Sequence, residues 1–115
     1  MDLGKVFGAL ADDSRRRVVA ELAADPADRE RACGSFALPV KKATRTHHFR
    51  VLREAGLIVQ RDHGNGSAVS LRRGHIERHL PGLLDLLTEE LASESEPQPE
   101  RQSPAPTEAA DPATR

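Results

Sequence analysis

Lys41–Leu57, KKATRTHHFRVLREAGL, is the stretch whose reading decides the fold. Wound at 3.6 residues per turn, it places Arg45, His48, Phe49 and Leu52 on one side and Ala43, Thr46, His47, Arg50 and Glu54 on the other. One side can pack against a core while the basic side faces a partner. Gly56 is a helix stop, and strand-like segments follow at 57–62 and 67–72, with Val69 and Leu71 alternating and Asn65-Gly66 as a two-residue hairpin signal. A basic amphipathic helix, a glycine stop and a hairpin, in that order, predict a winged helix-turn-helix: mainly α, with a small β-hairpin wing. Duplex DNA is the partner that such an arrangement suits best.

Upstream, Leu3, Val6, Phe7 and Leu10 follow the i, i+3, i+4, i+7 spacing of an amphipathic helix ending near Ala11. Asp12 is an N-cap for a second helix that carries Arg15, Arg16 and Arg17, then Val18, Val19 and Leu22, and breaks at Asp25-Pro26. Residues 29–37 are expected to form a third helix despite Gly34, and Leu38-Pro39-Val40 the turn before the recognition helix. Downstream, Gly74 to His79 forms a short helical turn. Pro81 then stands near the start of a last helix in which Leu80, Leu83, Leu84, Leu87 and Leu91 make an apolar stripe.

The 115 residues fit one small domain, expected over 1–92, followed by a disordered acidic tail over 93–115, where Glu, Ser, Pro, Gln, Ala and Thr offer nothing large to bury. A net charge of −1 hides an asymmetry, because residues 40–82 hold nine Lys/Arg against three Asp/Glu and residues 83–115 hold two against eight. The basic half suits phosphates. A single cysteine excludes an intrachain disulfide, and the start shows neither an apolar signal segment nor a membrane span, so a cytoplasmic location is expected. No Gly-rich phosphate loop and no nucleophile-and-base order is present, which argues against an enzyme.

Two segments carry a family resemblance. Leu10–Arg17, LADDSRRR, is similar to the LADPTRRR motif that opens the second helix of the ArsR family of bacterial winged-helix transcription regulators. His47–Leu57, HHFRVLREAGL, resembles that family's SxHLxxLxxAGL recognition segment. The likeness covers roughly residues 3–91, one compact domain. It implies a homodimer built from the first and last helices, two recognition helices in successive major grooves, and usually an inducer or metal that weakens operator binding. The apolar residues expected at that interface are Leu3, Val6, Phe7, Leu83, Leu84, Leu87 and Leu91, and the leucine stripe independently predicts self-association. Asp13 stands where the family often has Pro, which a first helical turn accepts. The thiolate pair of the arsenic and cadmium sensors is missing, since Cys33 stands alone, and the zinc ligands of the last helix are not reproduced. No metal or cofactor is therefore expected.

Within the recognition segment, Lys42, Thr44, Thr46 and His47 are expected to face base edges, Arg50 and Lys41 to hold phosphates, and Arg61, His63 and Asn65 to reach the flanking backbone or minor groove from the wing. A merely solvated surface is the plain alternative for each. His48 falls on the packing side, where it is either a hydrogen-bonded structural histidine or, alternatively, a phosphate contact or proton sensor. Adjacent His47 and His48 diverge on a helix and cannot jointly chelate an ion. His75 and His79, at i, i+4, make at most an incomplete divalent site. Cys33 is a small core residue or, alternatively, a thiol switch. These readings add up to a sequence-specific regulator, a homodimeric repressor at a palindromic operator. The alternative is a winged-helix protein-interaction module or nonspecific DNA binder.

Overall fold

The computed structural model describes residues 1–95 and contains five helices and a three-stranded antiparallel sheet. The expected acidic tail lies outside the described residues from residue 96 onward. Helix α1 spans Leu3–Leu10 and is capped by the Asp2 carboxylate, which accepts from the Lys5 N–H at 3.1 Å. It buries Val6, Ala9 and Leu10. Helix α2 spans Asp13–Ala23, and Asp12 caps it as expected, accepting from the Arg15 N–H at 3.0 Å. Its buried side, Val18, Val19, Ala20, Leu22 and Ala23, forms the middle of the core.

Helix α3, Lys42–Glu54, turns His48, Phe49 and Leu52 inward. Phe49 meets Phe36 with ring centroids 5.7 Å apart, a tilted contact favoured by the ring quadrupoles. The helix ends in a Schellman arrangement: Gly56 donates its N–H to the Arg53 carbonyl at 3.0 Å and Leu57 donates to Leu52 at 3.1 Å. Gly56 adopts φ +82°, which only glycine takes without strain. The chain is thereby aimed straight into the sheet, where Leu57 and Ile58 are buried.

Strands β2, Ile58–Asp62, and β3, Ser67–Leu71, pair in a register that sets Ile58 opposite Leu71 and Asp62 opposite Ser67. The hairpin turn sits one residue earlier than the Asn65-Gly66 signal suggests. His63 donates to the Gly66 carbonyl at 2.8 Å, which makes Gly64 and Asn65 the central pair, with Gly64 at φ +84°. Glycine at the first central position is what a type II′ turn requires, and it matches the twist of the strands.

Residues 29–37 do not form the expected third helix. Arg31–Ala32 instead form β1, which pairs antiparallel with β3 as Arg31 opposite Val69 and Ala32 opposite Ala68, and Cys33–Ser35 form a single 3₁₀ turn. The local sequence favours a helix weakly, but the free edge of β3 offers backbone partners that a helix with Gly34 inside it cannot match. Arg31 fixes this alternative: it donates to Glu21 at 2.8 Å and to the Ser35 carbonyl at 3.1 Å, and its guanidinium lies 3.9 Å over the Phe36 ring.

Helix α4, Arg73–His79, buries Ile76, and α5, Leu83–Ser95, follows the Pro81-Gly82 turn. Leu80 caps α4 rather than opening α5. Helix α5 packs along α2, and two ion pairs rivet them: Arg16 to Glu90 at 2.8 Å and Arg17 to Glu94 at 3.0 Å. Arg16 also holds the Leu10 carbonyl at the end of α1 at 2.8 Å. Val6, Leu84 and Leu87, expected at a dimer interface, are 0%, 4% and 5% exposed within the single chain, so their apolar surface is already removed from water. Leu83 and Leu91 are half-buried, while Leu3, Phe7 and Leu86 remain exposed.

Candidate nucleic-acid interface

The outward side of α3 is uncovered along its whole N-terminal half. Lys41 occupies the N-cap position with no side-chain cap, and Lys42, Ala43, Thr44, Thr46, His47 and Arg50 are all exposed. The helix N-terminus therefore presents free backbone N–H groups beside two ammonium groups, a setting that attracts phosphate. Ala43, Thr46, His47, Arg50 and Arg53, with Gln60 of β2, line one open groove of about 210 Å³. Of the residues that sequence reading assigned to DNA, Thr46, His47 and Arg50 border this groove, whereas Lys41, Lys42 and Thr44 do not.

Hydrogen bonds order that surface. Arg50 donates to His47 Nδ1 at 3.3 Å, which leaves the Nε2–H of His47 as an outward donor. Arg53 donates to the Gln60 amide oxygen at 2.6 Å, tying α3 to the wing. Gln60 had no signal in the sequence: it is half-buried on the same face of β2 as Ile58, and a lone polar residue there does not reveal that it borders a groove.

On the wing, Arg61, His63 and Asn65 are exposed. Both cationic candidates share one acid: the His63 Nε2 lies 2.8 Å from Glu30, and Arg61 lies 4.0 Å from the same carboxylate. Glu30 precedes β1, so its proximity depends on β1 pairing with β3, and sequence reading did not find it. Between α3, the 3₁₀ turn and the wing runs a second open groove of about 440 Å³, bordered by Lys42, Arg45, Phe49, Asn65 and Ser67. Cys33 lies in its wall, half-buried. Burial pushes its thiol pKa up and the nearby Arg45 only partly opposes this, the reverse of an activated thiolate.

Behind the exposed face, His48 is 6% exposed and accepts at Nδ1 from the Arg15 guanidinium at 3.0 Å, while its Nε2 faces the Asp12 carboxylate at 3.6 Å. Arg15 also donates to the carbonyls of Ala9 at 2.8 Å and Gly8 at 3.3 Å. The structural-histidine reading holds for the geometry. Burial, then Arg15 and His47, push the His48 pKa down against the pull of Asp12. Burial alone would raise the Asp12 carboxyl, but the N–H groups it caps and the neighbouring His48 and Arg15 hold it below the ordinary range.

His75 and His79 stack with ring centroids 4.5 Å apart, and the His79 Nδ1 donates to the His75 carbonyl at 2.9 Å. Among the described residues no three of His, Cys, Asp and Glu converge as metal ligands. Among them too, no helix is long and apolar enough to cross a membrane.

No family model matches the chain. An uncharacterised HTH-type transcriptional regulator, YceK, of Bacillus subtilis (strain 168) is 35% identical over 85 residues, covering 72% of this chain and 83% of the relative. A solved structure described as a possible transcriptional regulator for arsenical resistance superposes with a TM-score of 0.54 at 25% identity, over 79% of this chain and 96% of that one. The chain belongs to the ArsR family of winged helix-turn-helix transcription regulators. The fold of this ArsR-family protein is shared by an ArsR family regulator that superposes with a TM-score of 0.58 at 18% identity, over 83% of this chain and 98% of the other. An ArsR-like regulator from Rhodococcus sp. RHA1 has a TM-score of 0.55 at 21% identity, over 81% and 86%. ArsR-family regulators are DNA-binding proteins rather than enzymes.

Proposed function

We propose that this regulator is a homodimeric cytoplasmic repressor that sets two copies of α3 into successive major grooves of a roughly palindromic operator and blocks transcription initiation. The observation that carries this reading is the uncovered N-terminal half of α3, where Lys42, Thr44, Thr46 and His47 are exposed together while His48, Phe49 and Leu52 anchor the opposite side. In the proposed complex the Thr hydroxyls and the His47 Nε2–H meet base edges, and Thr methyls suit thymine. Lys41 and Arg50 grip phosphates, and the wing's Arg61, His63 and Asn65 follow the flanking backbone or minor groove.

Dimerisation draws support from Leu3, Phe7 and Leu86, exposed at 48%, 60% and 64%. Phe7 and Leu86 border an open groove of about 350 Å³ together with Leu10, Leu83 and Leu87. Large apolar side chains grouped this way on a small chain suit a self-complementary contact across a twofold axis. An inducer would act by changing the spacing or rigidity of the two recognition helices.

Selection of bound sequences from a randomised duplex pool tests the reading. An inverted repeat with half-site centres about one helical turn apart is the expected result. Recovery of no motif, with binding lost steeply in salt, would reject it in favour of nonspecific binding.

A further inference from the structure

His48 is the one buried polar side chain among the described residues, and it sits on the inner side of the recognition helix. Its partner Arg15 is a three-way joint. One guanidinium reaches His48 on α3 at 3.0 Å and the Ala9 and Gly8 carbonyls, at the end of α1, at 2.8 Å and 3.3 Å, while its own backbone belongs to α2. The Arg15–His48 hydrogen bond is thus a polar tie added to the apolar packing of α3 on α1 and α2, and it exists only while His48 Nδ1 carries no proton.

We propose that His48 and Arg15 are positioning residues for DNA recognition, and that protonation of His48 breaks their bond, loosens α3 and weakens operator binding. The inference rests on the proposed role of α3 in base reading. A proton on Nδ1 turns a donor–acceptor contact into two cationic donors facing each other at 3.0 Å. The groups facing His48 are Arg15 and Asp12 from the α2 side and His47 from its own helix. Asp12 attracts the protonated ring, but its Oδ2 lies 3.6 Å from Nε2, outside hydrogen-bonding distance, and already accepts the Arg15 N–H as the α2 cap, so this attraction does not restore the bond lost to Arg15. His47 adds repulsion. Burial is the largest cause of the downward shift of the His48 pKa, and the pull of Asp12 is opposed by Arg15 and His47.

The sign separates this joint from ordinary histidine titration at the interface. Positive charge added at the exposed face strengthens phosphate binding, whereas a proton on His48 weakens it. The experiment measures affinity of the full chain for the duplex enriched by selection, at about pH 7.5 and about pH 5.5 and constant ionic strength. The native chain is expected to lose affinity by less than about tenfold, because a His48 pKa below the ordinary value leaves the ring only partly protonated at about pH 5.5. His48→Asn, whose amide oxygen can accept from Arg15 without titrating, is expected to hold its affinity or gain. A His48→Asn chain that loses affinity as the native one does would overturn the proposal.

A second readout needs neither the variant nor DNA. Imidazole ¹⁵N and backbone amide spectra of the native full chain, titrated over the same range, should show the Lys42–His47 amides moving with His48 protonation. Titration of His48 with those amides unmoved would also overturn it. A chain that binds no duplex at either pH would instead reject the proposed operator function, and the amide titration would still decide the joint.

Discussion

The Arg73 guanidinium donates to the Asp28 carboxylate at 2.9 Å, joining the start of α4 to the loop after α2. The same guanidinium satisfies the Ala23 carbonyl at 2.9 Å where α2 ends and reaches the Asp25 carbonyl at 3.2 Å, which also accepts the Asp28 N–H at 3.0 Å. Asp28 stands at φ 52°, a left-handed conformation that Asp tolerates better than most residues. Arg73→Met is expected to lower the unfolding free energy by about 1–3 kcal/mol, because it strands the partly buried Ala23 carbonyl as well as the acid. Asp28→Asn, which keeps an acceptor and tolerates the left-handed backbone, should cost less. Urea denaturation of the two variants checks the order.

Base reading and phosphate gripping predict different losses on the same helix. Thr46→Ala or His47→Ala should relax specificity, costing about 1–3 kcal/mol on the preferred duplex and little on others. Arg50→Ala should weaken all sequences alike and reduce the salt slope by about one unit. Competition binding against scrambled duplex at two salt concentrations distinguishes the two patterns.

Replacing an exposed apolar side chain tests the dimer without disturbing the core. Phe7→Glu and Leu86→Glu place charge where the single chain leaves 60% and 64% of those residues in water. Each variant should sediment as a folded monomer with an unchanged far-UV spectrum, and lose operator affinity by much more than any single phosphate contact. A native chain that is already monomeric at micromolar concentration would remove the premise.

Acid stability should depend on Glu21. Burial raises its carboxyl pKa, but hydrogen bonds from Arg31 and Arg17 at 2.8 Å and 2.9 Å outweigh burial and hold it below the ordinary glutamate range. Because the folded pKa is depressed, the stabilisation is complete above the unfolded value and is lost as pH falls through the folded one. Glu21→Gln should flatten that acid limb while costing stability at neutral pH. Thermal melts recorded as a function of pH read both effects.

Gly56 closes α3 and aims the chain into the wing. At φ +82°, a Cβ would find only ordinary contact, with the Arg72 guanidinium 3.5 Å away, so the penalty for Gly56→Ala is conformational rather than steric. About 1–2 kcal/mol of destabilisation is expected, measurable by denaturant midpoint.

The recognition segment was legible because its information is local and periodic. His48, Phe49 and Leu52 repeat at helical spacing and are buried, while Thr46, His47 and Arg50 fall opposite and are exposed. The Asp12 cap and the Gly56 stop were readable for the same reason, since each acts on backbone groups within a few residues of itself. Residues 29–37 were not, because the choice between a helix and β1 turns on Val69 and Ala68, far along the chain. The hairpin turn slipped by one residue because the glycines at 64 and 66 both punctuate the loop, and strand register decides between them.

By itself, then, the sequence determined the helices, the wing and the side of α3 that faces outward, since these follow from hydrophobic period, caps and glycine. Tertiary structure alone decided what the charged residues do. Arg15, Arg16 and Arg17 read as one basic run, yet Arg15 reaches His48 on α3 while Arg16 and Arg17 reach Glu90 and Glu94 on α5, and Glu30 closes on the wing's His63 from a distant loop. It also decided that Val6, Leu84 and Leu87 are enclosed while Leu86 is left in water. A charge or a leucine carries no address in its own neighbourhood, and its partner is fixed only when packing brings distant backbone within a few ångströms.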